Sequence, residues 1–401
     1  MGEGMHHKVV IIGGGTGGIA VAAHLLKEVE SLDIAIVEPA DTHYYQPGWT
    51  FVGAGITKPE KTARSMLSVI PNGVKWIKDG VTSVDPDGRA LTLASGGQLG
   101  FDFLVVAAGI KIDWDGIPGL KESLGKDGVV SNYDYQQAPK TWQTIQDFKG
   151  GTAIFTQPPP PFKCPGAAQK ILYLADDAFR KANVRDKSQL IFCSAAPGIF
   201  PVKKYAAALN KVIARKELDM RYQTKLVEIR AETKEAVFDK GGEQEVIKYD
   251  MIHVTPPMSA PDFLKGSAIS DAAGWVDVDM HTLQHKKYAH IFGLGDCTNT
   301  PNSKTAAAIK SQTPVVASNV VAAINDQVGK AAYDGYASCP LVTGYGKLVL
   351  AEFDYNMLPK ETFPFDQGRE RRSMYYLKKY ALPKFYWDVL LKGGDLNVGG
   401  S

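Results

Sequence analysis

Short apolar segments alternate with helical patterns over roughly the first 330 residues. Residues 8–12 are mostly β-branched, the pattern of a strand that is buried on both faces. A glycine-rich turn and a helical pattern over 19–30 follow, and a second apolar strand covers 33–37. Further buried strands are predicted at 103–107, 152–156, 189–193, 251–255 and 290–292. Strands that alternate with helices in this way indicate an α/β fold with parallel sheets.

The same alternation predicts four segments. Residues 1–115 are the first part of one dinucleotide-binding domain, and 116–285 are a second Rossmann-like domain. Residues 286–332, with a helix of small residues over 304–321, return the chain to the first domain. Beyond 333 the alternation stops and aromatic residues become frequent, so 333–401 is predicted to be a separate C-terminal region. Two Rossmann-like domains in this order are typical of the glutathione reductase-like fold.

The turn after the first strand carries a dinucleotide-binding fingerprint. Gly13, Gly15 and Gly18 match the G-x-G-x-x-G spacing, and Glu38 lies twenty residues past Gly18. The first glycine allows a tight turn, the second lets the backbone approach a pyrophosphate, and the third allows close helix packing. Glu38 is expected to accept hydrogen bonds from a ribose hydroxyl.

A downstream pattern identifies the dinucleotide as FAD. Gly295 and Asp296 end a buried strand, where a carboxylate suits the ribityl hydroxyls and phosphate of FAD. The alternative for Asp296 is a helix cap without a ligand. Lys304 and Thr305 lie at the start of the next helix, which is expected to point at the flavin ring. Gly109 ends the strand that would pass under the cofactor.

A second glycine loop, which an NAD(P)H-dependent reductase needs after the strand at 189–193, is missing. Residues 194–201 read Ser-Ala-Ala-Pro-Gly-Ile-Phe-Pro. The prolines have no N–H group to offer a pyrophosphate, and a single glycine remains. The second domain is therefore predicted to keep the fold without binding NAD(P)H.

Charge and cysteine content exclude several classes of protein. A net charge of +2 is too small for a nucleic-acid-binding protein, so no nucleic-acid partner is predicted. Four cysteines are too few for a secreted disulfide scaffold and lack zinc-ligand spacing, so no metal is predicted. The segment before the first strand is too short for a signal or transit peptide, and no apolar run is long enough to span a bilayer.

Two of the cysteines are candidate catalytic thiols. Cys164 and Cys339 each lie in a proline-marked turn, and Cys164 precedes a helix predicted over 167–180. A helix N-terminus and the neighbouring Lys163 both favour the thiolate of Cys164. Cys193 is interpreted as a core thiol, and Cys297 as a thiol that packs near the flavin. A flavin with two isolated thiols suggests that sulfur chemistry supplies its electrons.

With these residues assembled, the chain resembles the sulfide:quinone oxidoreductases, in particular the branch that includes the mitochondrial enzyme. The resemblance covers nearly the whole chain and FAD is the implied cofactor. The motifs that carry it lie at 13–18, 163–170, 202–206, 295–299, 303–308, 338–345, 351–355 and 361–367.

The resemblance also implies a mechanism. Cys164 and Cys339 would be linked as a disulfide or through an extra sulfur, and hydrosulfide would attack Cys339. Sulfite, sulfide or a small thiol would then remove the sulfane sulfur, and electrons would pass through the flavin to ubiquinone or menaquinone. The implied location is the surface of the bacterial inner membrane, or of the mitochondrial inner membrane for a mature form, and a homodimer stays open.

The C-terminal region is implied to bind quinone and membrane lipid. Residues 369–380 and 383–392 are basic and aromatic at helical spacing, which fits an interfacial helix; a helix packed on the domain is the alternative. Phe353, Tyr355 and Phe385, with Trp387, are candidate quinone contacts. Truncation near Phe363 is expected to release the protein from membranes and to spare the cysteine chemistry.

Three other functions stay open. A type II NADH:quinone oxidoreductase has the same fold and tail but needs the missing glycine loop. A flavocytochrome-type sulfide dehydrogenase would share the cysteines and pass electrons to a haem partner. In a non-catalytic FAD-binding regulator, sulfide would not bleach the flavin absorbance.

Overall fold

The computed structural model describes residues 5–394, so the outer ends of the segments predicted at 1–115 and 333–401 lie outside the described residues. Its strands are β1 Met5–Ile12, β2 Ile34–Val37, β3 Thr42–Tyr44, β4 Ala63–Ser65, β5 Val74–Ile77, β6 Val81–Asp85, β7 Ala90–Leu93, β8 Gln98–Val106, β9 Lys111–Ile112, β10 Val129–Val130, β11 Gly151–Gln157, β12 Ser188–Ser194, β13 Asp219–Tyr222, β14 Lys225–Arg230, β15 Glu235–Lys240, β16 Glu243–Lys248, β17 Met251–His253, β18 Met258–Ser259, β19 Ile291–Gly293, β20 Ala337–Gly344 and β21 Lys347–Phe353. Its α-helices are α1 Thr16–Glu28, α2 Trp49–Val52, α3 Leu120–Ser123, α4 Ala138–Asp147, α5 Ala167–Lys181, α6 Lys203–Lys216, α7 Ala306–Ile324, α8 Arg372–Tyr376 and α9 Leu382–Asp388. A π-helical turn, Leu377–Ala381, joins α8 to α9.

The first sheet collects strands from both ends of the Rossmann-like region. Its order is β5-β2-β1-β8-β7-β6, and β19 pairs with β8. In the parallel part, Ile12 pairs with both Val37 and Val106, and Val106 pairs with Gly293. These residues end their strands, so the segments that follow them leave the sheet at one edge. Such an edge is where open α/β sheets bind their ligands.

The second sheet has the parallel order β10-β17-β11-β12-β13, and β14, β15 and β16 form a separate antiparallel sheet. The buried strands predicted at 152–156 and 189–193 are confirmed as β11 and β12. Both are almost wholly buried because α5 packs on one face of the sheet and the antiparallel sheet that contains β14 packs on the other.

The C-terminal region packs back onto the rest of the molecule. β20 and β21 form an antiparallel pair, with α5 against β20 and α8 against β21. The short turn Leu390–Lys392, which follows α9, contacts α1. Within residues 5–394 no helix is long and apolar enough to cross a bilayer.

Candidate active site

The glycine fingerprint lies where β1 ends. Gly13 has a φ of +103°, and a Cβ there would lie 2.5 Å from the carbonyl oxygen of Ala107. A Cβ on Gly18 would lie 1.9 Å from the Gly13 oxygen, so the close approach of α1 requires glycine. A Cβ on Gly15, in contrast, would meet no atom within 4 Å. The loop therefore has open space at the glycine where a pyrophosphate is expected.

Glu38 is tied to this loop. One carboxylate oxygen accepts a hydrogen bond from the N–H of Gly14 at 2.8 Å, and the other accepts from Ala40 at 2.8 Å. Each oxygen keeps a second lone pair, so Glu38 can still accept from a ribose hydroxyl. The sequence analysis missed its bond to the glycine loop, which no local pattern signals.

The candidate FAD-binding residues further along the chain lie at the same edge of the sheet. Gly109 and Gly295 have positive φ values of +71° and +76°, and a Cβ on Gly109 would meet no atom within 4 Å. Asp296 makes no hydrogen bond to any other residue within 5–394, and it lies in charge–charge range of Lys304. The Thr305 hydroxyl accepts from the Ala308 N–H at 3.2 Å and so caps α7.

The structure brings the two candidate thiols together. The sulfur atoms of Cys164 and Cys339 are 3.0 Å apart although the residues are 175 positions apart in sequence. The Cys164 N–H donates to the Lys304 carbonyl at 3.1 Å, so the cysteine loop is attached to the segment that starts α7. The pair therefore lies beside the edge that carries the FAD candidates.

The position of Cys339 corrects the sequence analysis, which placed it in a turn between elements. Cys339 is a fully buried residue in the middle of β20, paired with Ala351 of β21. Pro340 was taken as a turn marker. Because β20 pairs only with β21 among the strands of residues 5–394, a proline without an N–H group is tolerated on the open side of the strand.

The lysine at the Cys164 sulfur also differs from the one that the sequence predicted. The ammonium group of Lys163 donates to the side chain of Gln46 at 2.7 Å, whereas that of Lys170, in the first turns of α5, donates to the Cys164 sulfur at 3.3 Å. Lys170 is 5% exposed. The hydrogen bond from Cys339 and the charge of Lys170 hold the pKa of Cys164 well below its usual range. Burial, and the neighbouring Cys164, raise the pKa of Cys339.

The other two cysteines are poor nucleophiles. Burial raises the pKa of Cys193, at the end of β12, to about 12. Burial likewise raises the pKa of Cys297 to about 11, and its sulfur lies 3.4 Å from the carbonyl oxygens of Val106 and Leu294. Neither thiol forms thiolate at neutral pH.

Comparison with known proteins agrees with this geometry. The pattern of the pyridine nucleotide-disulphide oxidoreductases matches residues 7–144. The mitochondrial sulfide:quinone oxidoreductase of Mus musculus is 48% identical over 391 residues, which are 97% of this chain and 87% of that protein. The corresponding protein of Dictyostelium discoideum is 46% identical over 392 residues, 96% of this chain and 86% of that protein. The chain belongs to the sulfide:quinone oxidoreductase family.

A solved structure supports the same assignment at the level of the fold. The sulfide:quinone oxidoreductase of the bacterium Aquifex aeolicus superposes with a TM-score of 0.83 at 21% identity, over 97% of this chain and 92% of that chain. The α/β fold with two Rossmann-like domains is thereby confirmed. As a member of this family the chain is an FAD-dependent flavoprotein, and the open space at Gly15 and Gly109 fits that cofactor.

The loop after β12 uses two of its backbone N–H groups in internal hydrogen bonds. The N–H of Ala195 donates to the Gln157 carbonyl at 3.1 Å, and that of Ala196 donates to the Ser194 hydroxyl at 3.2 Å. Ile199 and Phe200 are buried in the core. The loop therefore offers a nicotinamide dinucleotide neither a glycine cradle nor these two N–H groups.

The C-terminal helices contact the glycine loop, which the sequence did not reveal. His43 donates through Nδ1 to the Gly14 carbonyl at 2.9 Å and accepts through Nε2 from the Tyr386 hydroxyl at 2.7 Å. Burial lowers the pKa of His43 to about 4, so the ring is neutral. Tyr386 in turn accepts from the Thr16 hydroxyl at 2.8 Å. Truncation near Phe363 would remove this contact, so we expect it to alter the glycine loop as well as the tail.

The candidate quinone residues lie in different surroundings. Phe353 is fully buried and packs edge-on against Phe200. The Tyr355 hydroxyl donates to the Met280 carbonyl at 2.7 Å, and the Tyr355 ring packs edge-on against the ring of Tyr333. Phe385 is half-buried on α9. Phe353 has no free surface for a quinone ring.

Proposed function

We propose that this chain oxidises sulfide to sulfane sulfur through Cys164 and Cys339 and passes the electrons through FAD to a membrane quinone. The observation that carries the proposal is the 3.0 Å approach of the two sulfurs, with the Lys170 ammonium 3.3 Å from Cys164. In the oxidised protein the two cysteines form a disulfide. Full-length relatives named sulfide:quinone oxidoreductase support the same activity.

The two thiols have different roles because their surroundings differ. Hydrosulfide attacks the sulfur of Cys339, a new S–S bond forms there, and the Cys164–Cys339 bond breaks. Cys164 leaves as the thiolate, which Lys170 stabilises. The low pKa of Cys164 makes it the better leaving group, so attack is directed to Cys339.

Turnover requires release of the sulfur and of two electrons. A nucleophilic acceptor (sulfite, sulfide or a small thiol) takes the sulfane sulfur and leaves a thiolate on Cys339. The two thiolates then re-form the disulfide and give up two electrons. Bound FAD supplies the two-electron acceptor, and Gly13, Gly15 and Gly18, with Asp296, would hold it.

The tail supports attachment to a lipid surface. Tyr376 and Tyr380 are 45% and 61% exposed, and their rings stack on each other. Lys384, which follows them in α9, has 79% of its side chain exposed. Exposed aromatic and basic side chains are typical of interfacial helices. Phe385 is half-buried next to this surface, so it is the candidate contact that fits a path of ubiquinone or menaquinone from the lipid.

The test is an anaerobic titration of four single variants. Cys164→Ser and Cys339→Ser are expected to abolish bleaching of the flavin by sulfide while FAD stays bound. Cys193→Ser and Cys297→Ser, matched changes at buried thiols, are expected to keep most of the wild-type rate. Near-normal turnover of Cys339→Ser with a soluble quinone would contradict the two-cysteine mechanism.

A further inference from the structure

The π-helical turn between α8 and α9 carries a buried lysine that the proposed mechanism does not use. Lys378 is 4% exposed, whereas Tyr380 of the same turn is 61% exposed. Its ammonium donates to the Pro47 carbonyl at 3.3 Å and lies 5.2 Å from the centre of the Phe51 ring. Single π turns inside α-helices occur frequently at functional sites.

Lys378 lies within charge–charge range of three other groups, namely Lys170, Cys164 and Cys339. Among residues 5–394, neither Lys378 nor Lys170 forms an ion pair with a carboxylate. A buried cation is stable only when an anion or strong hydrogen bonds compensate it. When Cys164 and Cys339 are linked as a disulfide, neither sulfur carries a charge, so the two lysines leave room for one anion at the pair; after the attack, the Cys164 thiolate takes over that negative charge.

We propose that Lys170 and Lys378 form an anion site at the cysteine pair, and that it binds hydrosulfide before the attack on Cys339. This inference rests on the proposed function. Lys378 holds the arriving anion and Lys170 holds the departing one. Attack forms the bond between hydrosulfide and Cys339, breaks the Cys164–Cys339 bond, and leaves the negative charge on Cys164. The number of charges in the site is unchanged, so the step needs no ion from solvent.

The protonation of Lys378 agrees with this role. Burial, and then the nearby Lys170, lower the pKa of Lys378 to about 7. A fraction of the molecules therefore has a neutral amine at neutral pH, which can accept a proton from hydrogen sulfide. That transfer generates the hydrosulfide and the ammonium group together.

The experiment compares Lys378→Met, Lys378→Arg and the neighbouring Lys379→Met by anaerobic rapid mixing with sulfide. Lys378→Met is expected to raise the half-saturating sulfide concentration for flavin reduction at least tenfold. Lys378→Arg, which keeps the charge, is expected to restore most of the affinity, and Lys379→Met to match wild type. An unchanged half-saturating concentration in Lys378→Met would overturn the proposal.

A second measurement separates this role from one at the cofactor or quinone. Each variant is reduced chemically and mixed with a soluble quinone, and FAD content and the flavin midpoint potential are determined. The proposal predicts that all three variants have the wild-type rate of quinone reduction, FAD content and flavin midpoint potential. An equal loss of rate in the sulfide and quinone reactions, or a shifted potential, would overturn it. Failure of sulfide to bleach the wild-type flavin would instead contradict the proposed function.

Discussion

Replacing Lys170 by methionine removes the ammonium group at the Cys164 sulfur and keeps a long apolar side chain. For unit charges separated by 3.3 Å, the interaction is about 1.3 kcal/mol in bulk water and about 5 kcal/mol at an effective dielectric constant of about 20. Even the smaller value lowers the ratio of thiolate to thiol about tenfold, because roughly 1.4 kcal/mol corresponds to a factor of ten. At pH values below the pKa of Cys164, we therefore expect about a tenfold or larger decrease in the rate at which Cys164 reacts with an alkylating reagent.

The assay is alkylation of the reduced protein by iodoacetamide at a series of pH values, with the Cys164 peptide quantified by mass spectrometry. Loss of the cation raises the pKa of Cys164, so the alkylation profile of Lys170→Met must move to higher pH. Lys163→Met is the matched control, because Lys163 is next to Cys164 in sequence but donates to Gln46.

The outcome that would refute this reasoning is a profile for Lys170→Met that coincides with that of wild type. The hydrogen bonds from Cys339 and from the Gly166 backbone would then account for the low pKa of Cys164. A shift in Lys163→Met of the same size as in Lys170→Met would show that general surface charge, and not the buried contact, controls the thiolate.

Three further predictions concern the cofactor, the nucleotide and acid stability. Gly15→Ala is expected to weaken FAD binding without changing the unfolding temperature of the apoprotein. Gly18→Ala is expected to lower both the FAD affinity and the unfolding temperature, because its Cβ would meet a backbone oxygen at 1.9 Å. Excess NADH is expected to leave the flavin oxidised over seconds in rapid mixing, because Ala195 and Ala196 use their N–H groups internally; fast bleaching would contradict this. Burial lowers the pKa of His253 to about 3, below its ordinary value of 6.5, so the unfolded chain binds the proton first and stability falls as pH drops below 6.5. Between pH 7 and pH 5 this histidine is expected to remove about 2 kcal/mol of unfolding free energy, a loss that urea titration should not find in His253→Gln.

Local patterns predicted the parts of the fold that depend on neighbours in sequence. The strands β1, β11 and β12 and the helices α1 and α5 follow from apolar runs and helical spacing, which packing of the sheets does not override. The glycine fingerprint was equally predictable from the sequence, because a tight turn and a close helix contact each require glycine at a set position.

The electrostatics of the site could not be predicted in this way. Lys163 is adjacent to Cys164, yet α5 turns the chain so that Lys170 reaches the sulfur. Lys378 approaches the same pair from a segment more than two hundred residues beyond Cys164. Such contacts arise from tertiary packing, for which a single sequence has no periodic signal. A local rule also misled, since Pro340 resembled a turn marker but lies within β20.

The bond between Tyr386 and Thr16 has a consequence for how the protein matures. A growing chain that leaves the ribosome would have its glycine loop long before α9 exists to cover it. A segment that is synthesised late therefore completes the pocket of an early one, and we expect flavin loading to finish only after α9 has been synthesised. A chain that is terminated before α9 should therefore accumulate as an empty, protease-sensitive apoprotein.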